Sequence, residues 1–369
     1  MREKFLELLK IAIGIKNCFD CVPSPDEWKV LYEISKSQSL VGICFLGIQK
    51  LPIEQHPPLE IELKFLGWSG KIQNKNLDIN KRCVLLQQKL HQAGFKVCFL
   101  KGQGNATFYP EPLLRQSGDI DIWVDGGFDK VLKYVNSVKH PREATDQDID
   151  FPVFRDTEVE LHYKAASLPN PFKSKRVGKW FDDIQQKSLF SKTLLPDGND
   201  IIIPNPEMNL VYQLIHIYRH FFELGIGMRQ IMDYYYLLIN CIDVQSVDII
   251  EVKTKIKEFG LTKFAKSLMY VLQSVFCLDN KYLLFTPDIR NGKFLLNEIF
   301  LTGNFGYSDH RLQLKDTDSH FKRFIKRTIH QYRHFFHYPC DTFWNGIYII
   351  TIYFRYRQLR KIIKNNRTY

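Results

Sequence analysis

Apolar residues recur at helical spacing over most of this chain, and at strand spacing in one stretch before its middle. Residues 1–94 read as helices. Ser24-Pro25-Asp26-Glu27 puts a proline and two acids in a first turn, Leu31, Ile34 and the run Leu40–Leu51 supply the apolar positions, and Pro57-Pro58 breaks the chain. A long helical stretch over 59–93 then ends at Gly94, where a glycine suits left-handed backbone. The rhythm changes next. Phe95-Lys-Val-Cys-Phe-Leu100 is a β-rich run ending in Lys101-Gly102, and a small turn or helix (103–109) and Pro110-Glu-Pro112 follow. Residues 119–124 alternate polar with β-branched or aromatic positions. Gly126-Gly127 opens a helix over 128–138, and runs at 149–155 and 158–164 predict a hairpin around Asp156-Thr157. Residues 95–165 are thus expected to be a compact α/β unit of about four strands and the only sheet-rich part of the chain.

Helical spacing returns from 206. Met208 to Leu224 and Met228 to Ile239 are punctuated by Gly225 and Gly227, and further helices are predicted at 245–259, 262–277, 291–301, 319–337 and 342–363. The expected fold class is α+β, mostly helical. Its parts are a helical region (1–94), an α/β core (95–204), a helical domain completing a cleft (205–318) and basic, aromatic C-terminal helices (319–369).

Composition narrows the class. With 369 residues, 45% hydrophobic and 25% charged, the chain can bury substantial cores, and disorder is excluded for most of it. The eight cysteines are scattered. Cys18-Phe-Asp-Cys21 has no second pair or histidine at zinc-finger spacing, so a helix-facing pair of free thiols is expected. Met1–Lys10 reads as an amphipathic helix start rather than a signal peptide, and a cytoplasmic location is the expectation. The net charge of +11 is local: residues 320–369 hold eleven Lys/Arg against Asp341 alone, which leaves +1 for the rest. That end could face nucleic acid or an anionic membrane surface. No transmembrane segment is expected, since the apolar run 343–354 falls short of the ~20 residues a span needs.

Asp119 and Asp121 carry the candidate chemistry. Side chains at i and i+2 of a strand share a face, so two carboxylates there can bridge a pair of divalent cations about 3.5–4 Å apart, as in-line phosphoryl displacement uses them. Asp-x-Asp also occurs at Asp146/Asp148, Asp148/Asp150 and Asp316/Asp318, among the Gln, Thr, Ser and Lys of solvated loops. Only Asp119/Asp121 alternates with β-branched residues after a small turn, Ser117-Gly118. A third carboxylate is available in Val159-Glu160-Leu161-His162, where Glu160 and His162 share the polar face; Glu158, bordering the turn, is its rival. Gly102 lets backbone approach a phosphate and Lys101 can neutralise one. Arg115 is either a bidentate triphosphate clamp or half of a surface salt bridge. Arg229 and Asp233, four apart, either pair with each other or face a cleft. His216 and His220, also four apart, lack a third ligand and read as core or surface histidines.

Taken in order, Phe-Leu-Lys101-Gly102, Arg115, Ser117-Gly118-Asp119-Ile-Asp121-Ile-Trp-Val and Glu160-Leu-His162 resemble the nucleotidyltransferases of the DNA polymerase β superfamily. More narrowly, they resemble an uncharacterised bacterial nucleotidyltransferase family. Leu214-Ile-His216 through His220, Gly225-Ile-Gly227-Met-Arg229-Gln230-Ile-Met-Asp233 and Gly303-Asn304-Phe305-Gly306 share the likeness, which spans residues 20–310. The resemblance implies a small mixed sheet, metal ligation by Asp119, Asp121 and Glu160, two Mg²⁺ ions (Mn²⁺ as a substitute), and transfer of a nucleoside monophosphate from an NTP to an acceptor hydroxyl. Lys101, Gly102, Arg115, Ser117 and Gly118 would cradle the nucleotide, and His162, Arg229 and Asp233 would face the cleft. The chain departs from the superfamily in that Gly102 precedes Asp119 by seventeen residues, with a proline-bracketed insert between. Two other readings keep the fold: a non-catalytic nucleotide- or RNA-binding module, and an antitoxin-like partner that modifies another protein.

Overall fold

A computed structural model describes residues 1–244, 247–306, 308–312 and 318–365. Helices α1 (Arg2–Ala12), α2 (Pro25–Ser37) and α3 (Val41–Lys50) open it. Helix α2 starts on a capping box: Ser24 Oγ accepts from Glu27 N at 3.4 Å, and Glu27 Oε2 accepts from Ser24 N at 2.8 Å. The long α4 (Leu59–Gln92) follows, ending before Gly94 at φ +79°. Its buried row Ile79, Cys83, Leu86 and Leu90 lies against the sheet. The sheet region runs β1 (Val97–Phe99), α5 (Gln103–Ala106), β2 (Ile120–Val124), α6 (Gly127–Val138), β3 (Asp148–Asp150) and β4 (Val159–His162). Then come α7 (Pro171–Lys187), β5 (Phe190–Leu194), β6 (Asp200–Pro204), α8 (Pro206–Glu223), α9 (Met228–Asp243), α10 (Ile249–Glu258), α11 (Thr262–Phe276), α12 (Ile289–Thr302), α13 (His320–Gln331) and α14 (Pro339–Asn365).

The main sheet is mixed, in the order β1-β2-β4-β3, with β2 and β4 parallel and the outer strands antiparallel to their neighbours. Alternation then separates two faces. Ile120, Ile122, Val124, Val159 and Leu161 join α4 and α6 in one apolar core. Asp121, Trp123, Glu160 and His162 belong to the opposite face, where Trp123 packs into the larger helical core. The register sets Asp121 directly beside Glu160, and Trp123 beside His162. The α+β, mostly helical class around a small mixed sheet is therefore as expected.

Several local expectations need correction. β5 and β6 form a second, two-stranded sheet outside residues 95–165, seated against β1 and clasped by Gln87 of α4, whose side chain bonds Asp200 O and Ile202 N. The hairpin exists, but its strands are shorter than 149–155 and 158–164. Pro152 offers no N–H, and beyond Phe151 the ladder ends. Asp148 and Asp150 lie on β3 rather than in a solvated loop; Asp150 is buried and bound bidentately by Arg142. The predicted Asp316/Asp318 pair falls partly outside the described residues, as do the start of the 245–259 helix and Arg367. Asp318 is paired with Lys322 and Lys326. The 319–337 helix stops at Gln331, because His334 turns inward to pack among Phe221, Phe222 and Phe294. Cys18 and Cys21 are free thiols in the loop between α1 and α2, not on a helix. No helix among the described residues is long and apolar enough to cross a membrane.

Candidate active site

Strand β2 drives Asp121 to the polar face, where its side chain is fully buried. Asp121 Oδ1 lies 3.0 Å from His162 Nε2 and 3.1 Å from Lys101 Nζ, while Oδ2 is buried with no partner among the described residues. Asp119 sits one residue before β2, about a third exposed, with Oδ2 4.0 Å from the same Lys101 Nζ. On β4, Glu160 Oε2 lies 3.3 Å from His162 Nε2. Ligand atoms of Asp121, Glu160 and His162 all fall within 4.8 Å of one another. Asp119 stands outside that trio, separated from it by the lysine. Glu158, the rival to Glu160, is exposed and points to Arg142.

Electrostatics follow from this crowding. Burial, followed by the charges of Asp121 and Asp148, raises the Glu160 carboxyl to about 7, against a hydrogen bond from His162. Burial disfavours a charged His162, but its hydrogen bonds to Asp121 and Glu160 outweigh that and push it up to about 10. Asp121 resists burial through Lys101 and His162 and stays well below the usual carboxylate range. Lys101 is correspondingly held charged by Asp121 and Asp119. A protonated His162 donates rather than ligates, so the donors left for a cation are carboxylate oxygens. That set, with the unpartnered Asp121 Oδ2, fits a hard divalent ion such as Mg²⁺ or Mn²⁺.

Asp148 escaped the sequence reading. Its neighbours Gln147 and Thr145 look like a loop, yet the β3–β4 register sets it opposite His162. Burial raises its pKa, with His162 opposing and Asp121 adding to the effect. Only the pairing of the two strands could have found it.

The turns before the strands place the remaining candidates. Gly102 has φ +66° and ψ −115°, a conformation reserved for glycine, and it turns the chain sharply after Lys101. Ser117 is buried with its hydroxyl unpartnered. Gly118 faces Arg229, whose Nη1 would lie 3.9 Å from a Cβ there. Arg115 is neither a surface pair nor a free clamp. It is buried and forks onto Asp233 (Nε–Oδ1 2.7 Å, Nη2–Oδ2 2.8 Å), Tyr109 OH donates to the same carboxylate at 2.7 Å, and Asn76 holds its backbone carbonyl. The i,i+4 pairing of Arg229 with Asp233 therefore gives way to a bridge between the loop before β2 and α9. Arg229 instead donates from Nη1 to Gln116 O at 2.8 Å and leaves Nε buried with no partner among the described residues. Burial and the neighbouring Arg115 lower its pKa, against the charges of Asp233 and Asp119. His216 and His220 lie edge to face at 4.3 Å, and burial holds both neutral. The cleft between sheet and α9 brings together Lys101, Gly102, Gly118, Asp119, Asp121 and Arg229, with Arg115, Gln213, His216, Gln230, Asp233 and Phe305 completing its wall.

The chain is a mostly helical α+β protein with carboxylates gathered on one face of a small mixed sheet. The chain belongs to a family described as uncharacterised nucleotidyltransferases, whose model matches residues 24–277. One solved structure that it resembles is an antigenic nucleotidyltransferase-like protein from Paracoccidioides brasiliensis, at 13% identity over 52% of this chain and 89% of that one. The TM-score between the two is 0.29. No curated protein matches the chain.

Proposed function

We propose that the protein is a divalent-metal-dependent nucleotidyltransferase moving a nucleoside monophosphate from an NTP to an acceptor hydroxyl. The observation that carries this is the parallel register of β2 and β4, which sets Asp121 beside Glu160 with Asp119 and Lys101 at the same cleft. Asp119, Asp121 and Glu160 would hold two Mg²⁺ ions, for which Mn²⁺ could substitute. When bound, the ions supply charge neutralisation for the triphosphate and lower the cost of ionising the acceptor. Glu160, its carboxyl near neutrality, is placed to take the acceptor's proton. The acceptor oxygen then bonds to the α-phosphorus as the bridge to the β-phosphate breaks, and pyrophosphate leaves with the bonding pair. Lys101, Gly102, Ser117 and Gly118 would cradle the triphosphate. Arg229, rather than Arg115, would supply the guanidinium, while Arg115 and Asp233 hold the cleft wall in place and His162 orients Asp121. The helical regions 1–94 and 205–318 would flank the 95–204 core as walls for the acceptor.

The test is transfer of label from α-³²P-NTP, with each NTP supplied in turn, Mg²⁺ and a cell lysate as acceptor source. Asp119→Asn is expected to abolish transfer, and unchanged transfer by that variant sinks the proposal. Label on a small molecule, an RNA or a polypeptide would name the acceptor, the last matching the antitoxin-like alternative. NTP binding without transfer would favour the non-catalytic module.

For the basic C-terminal end, the face of α14 favours an anionic membrane surface over a nucleic acid. Phe343, Ile347, Ile350 and Phe354 are exposed at alternating spacings of four and three, and the same line continues into exposed Arg357 and Lys361. An apolar stripe running into cations suits the boundary between acyl chains and acidic headgroups. The protein is expected to co-float with vesicles containing phosphatidylserine and not with neutral ones, and Phe343→Ser/Phe354→Ser should release it. Salt-sensitive RNA binding that those substitutions spare would assign the surface to nucleic acid instead.

A further inference from the structure

Phe305 is an aromatic residue that no core claims. Its ring belongs to neither hydrophobic cluster of the molecule and lines the cleft that holds Asp119 and Lys101. Its backbone lies at φ 53°, ψ 33°, a left-handed conformation that residues other than glycine rarely adopt. Such a conformation persists only where the surroundings over-determine it, and here three segments do so. Gln38, buried between them, donates to Ile299 O at 3.2 Å and accepts from Met228 N at 2.7 Å. Asn304 Nδ2 donates to Ser39 Oγ at 2.8 Å. Gly227 and Gly306 allow the approach, since a Cβ on either would collide with Asn304 or with the Leu224 carbonyl. The sequence motifs around Gly225-Ile-Gly227 and Gly303-Asn304-Phe305-Gly306 are thus two halves of one joint, and what the joint presents is a ring.

The ring's neighbours are polar. Arg229 Cζ stands 5.9 Å from its centroid, and His220 meets it edge to face at 4.9 Å. Gln230, in the first turn of α9, is only 4% exposed and lines the same cleft. Its Oε1 accepts from Gly227 N at 3.0 Å, while its Nε2 is buried with no hydrogen-bond partner among the described residues. A guanidinium, an aromatic face and a buried amide donor line one cleft, and neither the guanidinium Nε nor the amide nitrogen has a partner among the described residues. One ligand class answers all three, an anion carrying a flat heterocycle with acceptor atoms on its edge.

We propose that Phe305 and Gln230 form the base-binding end of the nucleotide site. The purine or pyrimidine of the NTP stacks on Phe305, Gln230 Nε2 donates to a ring nitrogen or carbonyl of the base, and Arg229 meets a phosphate. This assignment rests on the nucleotidyltransferase reading above and gives Phe305 a role in positioning the nucleotide rather than in the transfer itself.

The experiment is calorimetric titration of the full chain with inorganic tripolyphosphate and with the tightest-binding of the four common NTPs, both in Mg²⁺. The NTP is expected to bind the unaltered protein more tightly than tripolyphosphate. Phe305→Gly should weaken the NTP by about fivefold or more, the scale of one lost base–aromatic stack, and leave tripolyphosphate affinity unchanged. Because glycine adopts φ +53° without strain, the same variant should melt no lower than the parent. Phe305→Trp should keep NTP affinity, and Gln230→Ala should lose roughly two- to tenfold, the worth of one hydrogen bond. Equal weakening of both ligands by Phe305→Gly, or no weakening of either, overturns the platform. So does an NTP that binds the parent no better than tripolyphosphate. If tripolyphosphate itself fails to bind, the phosphate end of the cleft is lost, and the proposed function falls along with the platform.

Discussion

Two buried ionic clusters in this chain look alike in composition and differ in completeness. In one, Glu298 accepts from Arg311 on both oxygens and from Arg333, and Asp309 accepts from Arg311 on both of its own, tying the 309–311 loop and the residues after α13 to α12. Every carboxylate oxygen there is taken by a guanidinium. In the other, Asp121, Asp119, Glu160 and Asp148 crowd around a single lysine and a single histidine, Asp121 Oδ2 has no partner, and Glu160 sits near its titration point. The first cluster has its acids matched and acts as scaffold. The second holds more carboxylates than its lysine and histidine can match, an excess that the cations of the proposed function would offset.

Substitution should pull the two apart. The largest effect expected is on the reaction: Asp121→Asn should cut label transfer by about 10²- to 10³-fold or more, the scale of removing one preorganised charge-stabilising group. Its melting temperature should move little, because Lys101 still reaches Asp119. Glu298→Ala should do the reverse. Stranding the buried Arg333 should cost about 3 kcal/mol in a urea titration followed by tryptophan fluorescence, while the folded fraction keeps its activity. A stability loss for Asp121→Asn as large as that for Glu298→Ala would erase the contrast.

The smallest effect expected is in pH dependence, and its sign differs between the clusters. Glu160 and His162 hold protons more tightly folded than unfolded, at about 7 against 4.5 and about 10 against 6.5. The folded state binds more protons in those windows, so their contributions are lost as pH rises, Glu160's between about 4.5 and 7 and His162's between about 6.5 and 10. Asp309 is opposite. Burial opposes its charge, but Arg311 lowers its pKa below 3.8, so its contribution is present above that value and lost in acid. Melting curves across pH should therefore show a fall in stability as pH rises from about 4.5 to 7 that Glu160→Gln flattens, and a fall in acid that Arg311→Ala flattens. Mg²⁺ added together with an NTP should raise the melting temperature more above pH ~7 than below it, where protons compete for Glu160.

Much of the carboxylate cluster was legible in the sequence because strand alternation is local. Asp119-Ile-Asp121 and Val159-Glu160-Leu161-His162 announce their polar faces within a few residues, and Lys101-Gly102 marks the end of the strand beside them. What stayed hidden depends on partners far along the chain. Arg115 had a credible role as a clamp, but its fork belongs to Asp233, 118 residues on. Arg229, four residues from Asp233, lost that partner to the more distant arginine. Asp148 was set aside for its polar neighbours, and only the β3–β4 register returns it to the site. Phe305 carries no periodicity at all; its position comes from a joint between residues 37–39, 225–228 and 302–306.

Lys101 has a consequence for the order of events. A lysine lodged between two acids is a tethered counter-ion, present at a fixed local concentration that no dilution changes. Bare divalent ions must compete with it, and an ammonium once displaced is stable only beside a new anion. Under the proposed reaction a metal–triphosphate brings both the rival cation and that anion in one particle. The resting protein would thus ignore metal that arrives alone, and its loading would track the supply of nucleotide rather than the level of the ion.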